Sequence, residues 1–381
     1  SFSQALSKLE ADVPSKEYQI EINATEAATD EYPDGRQRAA TWSISVNDDK
    51  IETVANDPAS VWTNRATLQG KVTNSTWSQQ PKFRYRETGS TEWTTVEATL
   101  SGDTFTAEIT GLKDNTEYEY QAVDGEQPAS NTCKFTTESK FQPQNAGFEK
   151  TSGSSPLLFY ADGEQMWWDS GNKGSATLGK NVTQTSTEVK HGGNQSLYMV
   201  SQFVGLMGIG KFAAGNIFTG EFMGTENTYY GILGWGRPCT SRPKALRVWV
   251  RYTPGTVDYT ETDKIAKGNT DQGIVYVAVG DWKSSDSEYG SQWPVVVRTK
   301  GPSLFNPKDK GTIGYGEKVF TSNFSMDTND MTLVEIPLDY DNYGGNNRKP
   351  THIIIVASAS RYGDYYSGSS QSRMWLDDME L

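Results

Sequence analysis

Apolar and polar residues alternate in short runs along most of this chain, and almost nowhere recur at the three-to-four-residue spacing of an amphipathic helix. The clearest alternation lies in ATLQGKV (66–72), KFRYRETGSTEWTTVEA (82–98), TFTAEI (104–109), EYEYQAV (117–123) and NTCKFTT (131–137). Near-regular spacing with turn residues between them predicts an immunoglobulin-like, fibronectin type III-like sandwich over residues 58–138. Within it, ITGLKDNTEYEYQAV resembles a fibronectin type III corner, which implies that Leu112 enters the core and Tyr118 turns its hydroxyl back to the preceding turn. Ahead of it, residues 1–57 hold two alternating stretches, YQIEIN (18–23) and TWSISV (41–46), on either side of the turn-rich EYPDGRQ. They predict two strands of a short extended segment. From residue 141 to 381, apolar runs at 196–205, 244–252, 273–282, 293–299, 331–340, 351–360 and 373–381 have no helical pattern between them. Strands without intervening helices pair antiparallel, which predicts two packed sheets, a jelly roll. The expected fold class is therefore all-β: an immunoglobulin-like sandwich followed by a larger jelly-roll β-sandwich.

Composition agrees, since 36 Gly, 19 Tyr, 14 Phe and 11 Trp in 381 residues suit strands and turns better than helices. The formal net charge of −13 excludes a nucleic-acid partner, which needs a basic stripe, and disfavours an anionic membrane surface. No run approaches 18 apolar residues, so no transmembrane segment is expected, and the opening SFSQALSKLE lacks the apolar core of a signal peptide. Two cysteines, Cys133 and Cys239, and two histidines, His191 and His352, lack zinc-ligand spacing, and neither a disulfide framework nor a Ser/His/Asp arrangement is visible. VGLMGIGKFAAG (204–215) has the G-x-x-x-x-G-K spacing of a phosphate loop. Phe212 stands where that chemistry needs a Ser or Thr hydroxyl, and no strand-loop-helix unit surrounds it, so the glycines are expected to serve turns and close backbone approach.

The C-terminal region resembles the family called the putative carbohydrate metabolism domain of Bacteroidetes surface and secreted proteins. The stretches GILGWGRPCTSRPKALRVWVRYTPGTVDY (231–259), GIVYVAVGDW (273–282), PVVVRT (294–299) and PTHIIIVASASRYGDYYSG with MWLDDMEL (350–381) carry the likeness. Cys239 departs from it, standing where a Phe is expected after GRP. The resemblance implies a jelly roll, often behind an immunoglobulin-like module, on the cell surface or secreted, with any lipid anchor on a cysteine upstream of Ser1. Oligosaccharide or polysaccharide is the implied partner, beside other envelope proteins. NAGFEK (145–150), KHGGNQSL (190–197) and LDDMEL (376–381) resemble strand signatures of carbohydrate-binding modules, in which a structural calcium often joins first and last strands. That implies a calcium held by Glu149, Asp377 and loop carbonyls around 190–193, with no other cofactor required.

Sugars present C–H faces to aromatic rings and hydroxyls to charged or amide groups. Alternation along ALRVWVRY puts Arg247, Trp249 and Arg251 on one face, away from Val248, Val250 and Tyr252. If the next strand shares that sheet, Trp249, Arg251, Tyr276 and Trp282 line one cleft, with Trp235, Arg237, Arg242, Asp281, Arg361 and Asp364 as its walls. Tryptophans in β domains more often pack than bind, so the expectation rests on the grouping. Three functions remain open: glycan binding on a concave sheet face, glycoside hydrolysis by carboxylates that only the fold brings together, and a structural or adhesive surface role. The E-x-D-x-x-E frame of laminarinase-type glycosidases falls on Trp375, Asp377 and Glu380 in WLDDME, so its first carboxylate is missing and no catalytic pair is visible.

Overall fold

The computed structural model describes residues 16–25, 37–46, 50–206, 209–301, 303–325 and 331–381. The chain divides into two units, Ser1–Thr137 and Glu138–Leu381. Among the described residues no helix is long and apolar enough to cross a membrane.

In the first unit, Lys16–Thr25 and Gln37–Val46 pair as an antiparallel two-stranded sheet. The expected EYPDGRQ turn between them falls mostly outside the described residues. The sandwich starts earlier than residue 58, because Ile51–Val54 pairs with Arg65–Val72 at the edge of a four-stranded sheet. The facing sheet is built on Pro81–Glu87 and Glu117–Asp124. Alternation does the work: Leu68, Phe83, Phe105 and Tyr120 from the two sheets meet in one fully buried cluster. At the corner, Leu112 is buried and the Lys113 amide donates to the Tyr118 hydroxyl at 3.0 Å.

The second unit packs two antiparallel sheets. One is five-stranded, in the order Thr183–Ser186, Ser196–Val200, Arg373–Glu380, Ala245–Thr253, Thr332–Pro337. The other is eight-stranded, its path running Val295–Arg298, Tyr230–Trp235, Asn216–Glu226, His352–Ser358, Gly273–Gly280, Thr312–Phe320. Between them lie Leu246, Val248, Val250 and Tyr252 from one and Val275, Val277, Val279, Ile353 and Ile355 from the other, all sealed from solvent. Each such side chain contributes about 1.5–3 kcal/mol by leaving water. Tyr252 crosses the layer to donate to the Ala359 carbonyl at 3.2 Å.

The glycines of VGLMGIGKFAAG lie in a hairpin, Gln202–Leu206 against Ile209–Ala213, where Gly205 and Gly210 are cross-strand partners. A Cβ on Gly205 would stand 2.3 Å from the Ile209 carbonyl oxygen, and one on Gly210 2.2 Å from that of Val204. Close approach accounts for these glycines, and the Lys211 ammonium pairs with Glu261 at 2.6 Å. Cys239 is 3 % exposed, with its thiol directed at the Ser241 carbonyl, and burial pushes that thiol up to about 12. Cys133 belongs to the first unit, and burial raises its thiol too.

One ion pair ties the start of the second unit to its interior. Arg242 is 1 % exposed, and its guanidinium donates to Glu138 at 3.0 and 3.2 Å while its amide donates to the same carboxylate at 3.1 Å. Removing Arg242 leaves the buried Glu138 with only the partly exposed Lys349 ammonium, 3.8 Å away, as counter-charge, so Arg242→Met is expected to cost up to about 3–5 kcal/mol. Urea unfolding of the full chain should show this as a lower midpoint for the larger unit; an unchanged midpoint would mean the pair adds nothing.

Candidate functional site

The outer face of the eight-stranded sheet, turned away from the five-stranded one, carries an aromatic field. Register places Glu317, Tyr276, Val356 and Phe218 in one cross-strand row, and Tyr315, Ala278 and Ile354 in the next. Trp235, Leu233 and Phe222 continue the field along the adjoining strands. Phe305 stacks on Tyr276 at 5.9 Å with rings 4° apart, and its edge meets Trp282 at 5.8 Å.

Polar groups gather where this field meets the segment after His352–Ser358. Glu317 accepts from the Tyr315 hydroxyl at 2.6 Å and pairs with Arg361 at 3.8 Å. Asp364 opens into a cavity of about 480 Å³. Burial lifts its carboxyl to about 6, with no cation or hydrogen-bond donor among the described residues opposing it. Burial raises the Tyr276 phenol well above its usual range, and the nearby charges of Asp364 and Glu317 add to this. Tyr276 therefore has one of these carboxylates on its own cross-strand row and the other within electrostatic reach.

A buried carboxylate holds the segment that presents Arg361 and Asp364. Asp271, fully sealed, accepts from the hydroxyls of Ser360 and Ser372 at 2.6 and 2.7 Å and from the amides of Ser369 and Gln272, each at 2.8 Å. The Arg361 amide donates to the Gln272 carbonyl at 2.6 Å, so the segment is pinned at its root.

The structure separates the residues expected to share one cleft. Ala245–Thr253 and Gly273–Gly280 belong to different sheets, so Trp249 and Arg251 lie on the outer face of the five-stranded sheet, apart from Tyr276. There Trp249 stacks on His191 at 3.6 Å and Arg251 lies over Trp375 at 5.5 Å. Trp235 and Trp282 are 3 % and 6 % exposed and pack within the field, leaving no ring face for a sugar. Arg237 is buried, donating to the carbonyls of Trp167 and Gly220, and Arg242 is spent on Glu138. Asp281 pairs with Arg348 beyond the Gly280 end of its strand, whereas Asp364 follows the Ser358 strand end, which pairs with Ile274. Tyr276, Arg361 and Asp364 are the expected residues that do come together.

The residues expected to hold calcium make a different arrangement. Asp377 accepts from the amides of His191 and Gly192 at 2.7 and 3.1 Å, and Glu149 from the amide of Asn194 at 3.0 Å. The loop thus offers N–H groups to these carboxylates, where calcium needs six to eight oxygens. Among the described residues no group of three or more His, Cys, Asp or Glu side chains is placed to hold a metal. The donor set does not fit the cation.

Glu317 and Tyr315 were not singled out from sequence, although TIGYGEKVF carries a signal. Alternation puts Tyr315 and Glu317 on one face and Gly314 and Gly316 on the other, where a Cβ on Gly316 would stand 2.2 Å from the Pro337 carbonyl oxygen.

Residues 145–381 match the family model described as putative carbohydrate metabolism domain. The chain belongs to this family, whose description gives it a carbohydrate-related role. Among solved structures it is similar to a putative glycoside hydrolase from Bacteroides vulgatus, with 22 % identity over 62 % of this chain and 96 % of that one and a TM-score of 0.44. A putative glycoside hydrolase from Bacteroides thetaiotaomicron shares 18 % identity over 83 % and 86 %, with a TM-score of 0.45. A surface glycan-binding protein from Prevotella bryantii shares 10 % over 90 % and 78 %, with a TM-score of 0.23. No curated protein matches the chain.

Asp364 gives a pH test. Between its ordinary value near 3.8 and the folded value of about 6, the folded chain holds a proton that the unfolded chain releases. Stability from this group is present below about pH 4 and is lost as pH rises through about 6. Asp364→Asn is therefore expected to exceed the parent in stability by about 1–3 kcal/mol at pH 7.5 and to equal it at pH 4. Denaturant unfolding at both pH values checks this; equal stability at pH 7.5 would show the carboxyl to be unperturbed.

Proposed function

We propose that the larger unit binds saccharide chains on the outer face of its eight-stranded sheet, around Tyr276, Tyr315, Glu317, Arg361 and Asp364. The observation that carries this reading is the place of Asp364, a carboxyl lining a cavity of about 480 Å³ with no hydrogen-bond donor among the described residues. A desolvated carboxyl lacking a partner loses free energy that a ligand hydroxyl restores. Half-buried tyrosines supply ring surface for sugar C–H groups, and Arg361 and Glu317 supply a donor and an acceptor. The ligand is an extracellular oligosaccharide or polysaccharide met at the cell surface or in the medium, and the family's carbohydrate description supports that choice.

A second reading, glycoside hydrolysis, is favoured by one specific contrast. Asp364 is lifted by burial, whereas Glu317 is held by a tyrosine hydroxyl and an arginine. Two carboxyls in unlike environments beside one phenol are the raw material of an acid and its partner.

Affinity-gel electrophoresis and calorimetry against soluble polysaccharides separate the readings. Binding is expected to weaken by about tenfold or more in Tyr276→Ala and Asp364→Asn, a loss of about 1.4 kcal/mol. Trp249→Ala, on the other sheet, should leave it unchanged. Reducing-sugar release that disappears in both Asp364→Asn and Glu317→Gln would establish hydrolysis instead. Retention lost in Trp249→Ala and kept in Asp364→Asn would refute the placement.

A further inference from the structure

The cavity beside Asp364 has walls unlike a sugar subsite. It is bounded by the Asn172–Ser175 helix, the Ile209–Ala213, Asn216–Glu226 and Tyr230–Trp235 strands and the Gly363–Tyr365 turn. Four rings, Phe212, Phe222, Tyr229 and Tyr366, line it. Its charged residues are Lys211 and Asp364, and Lys211 is already taken by Glu261 at 2.6 and 2.7 Å. The Tyr366 hydroxyl is engaged as well, with Thr299 at 2.6 Å and the Tyr229 carbonyl at 3.0 Å. Ser175, Thr177, Asn216 and Thr299 on the wall are likewise bonded within the protein, so a sugar ring buried here would meet chiefly the hydroxyls of Thr225 and Thr228, and each of its own left unpaired would cost about 1–3 kcal/mol.

The surrounding surface gives an independent sign. Four large apolar side chains stand exposed among the described residues, and three of them border this cavity: Ile209 at 71 %, Leu178 at 43 % and Tyr229 at 39 %. On an acidic chain rich in polar residues, apolar exposure gathered at one mouth marks a place where something apolar binds. Asp364 lines this cavity and also lies within electrostatic reach of Tyr276 on the sheet face, so it stands where the two regions meet.

We propose that the cavity receives an aromatic substituent of the bound saccharide, an aryl ester or aryl aglycone, with the sugar on the Tyr276 side of Asp364. This rests on the saccharide reading and adds the class of ligand. An aryl group suits these walls because the four rings offer edge and face contacts, while Gly171, Gly174, Gly231 and Gly363 leave flat backbone between the aliphatic side chains of the wall. Asp364, at the junction, accepts from the sugar hydroxyl next to the linking oxygen.

The test is calorimetric titration of the full chain with cello-, xylo- and manno-oligosaccharides and with their 4-nitrophenyl glycosides. For the sugar that binds, the 4-nitrophenyl form is expected to bind at least about tenfold more tightly than the free form. Thr225→Trp and Thr177→Trp, at exposed wall positions of the cavity, should each fill it, abolishing that preference and leaving free-sugar affinity unchanged. Equal affinity for free and aryl forms would overturn the inference while leaving the saccharide reading in place, and so would a preference that survives both tryptophan variants. Binding of 4-nitrophenol alone, lost in Thr225→Trp, with no sugar of either form retained, would overturn both. Failure of every member of the panel to bind would overturn both as well.

Discussion

The site depends on a buried negative charge. Asp271 is sealed inside the larger unit, where an unsolvated carboxylate is tolerated only if its lone pairs are filled. Four donors fill them, and three come from Ser360, Ser369 and Ser372, in the segment on either side of Asp364. The electrostatic demand of Asp271 therefore fixes the root of that segment, and with it the approach of Arg361 and Asp364 to the paired strands that carry Glu317 and Tyr276. Ser201 extends the grip, its hydroxyl lying 2.8 Å from that of Ser360 and accepting from the Gly215 amide. The site consequently stands on a polar network inside the unit, not on loop residues alone.

Asp271 and Asp364 show how the same residue type divides between scaffold and chemistry. Burial raises both carboxyls. At Asp271 hydrogen bonds from two serines and two backbone amides oppose the rise; at Asp364 nothing does. The first charge is consumed by the fold, and the second is left available. Arg242 and Arg237 make the same point for cations: each is buried, and its donors are committed to Glu138 or to backbone carbonyls.

The alternation of ALRVWVRY and GIVYVAVGDW was enough to read which side chains enter the core, because a strand buried on one face must obey a two-residue period. Which sheet each strand joins is set by long-range pairing that no local pattern encodes, and so Trp249 and Tyr276 came apart. Tryptophan carried too little information: the rings of Trp235 and Trp282 suit a sugar platform and a satellite core equally well, and packing claimed them. Thr312–Phe320 and Asn216–Glu226 do not look like strands in sequence because their glycines resemble turn residues, whereas a glycine such as Gly316 lets another backbone come close. Asp364 was reached through its place in the family-like stretch RYGDYYSG. That it has no donor among the described residues is a fact of three dimensions.

The sealed thiol of Cys239 bears on where such a chain can live. A sulfhydryl pushed to about 12 has almost no thiolate at neutral pH, and thiolate is the form that exchanges with disulfides and reacts with oxidants. Cys133, in the other unit, is shifted in the same direction. Burial therefore disfavours the reactive form of both thiols, whatever the redox poise around the chain.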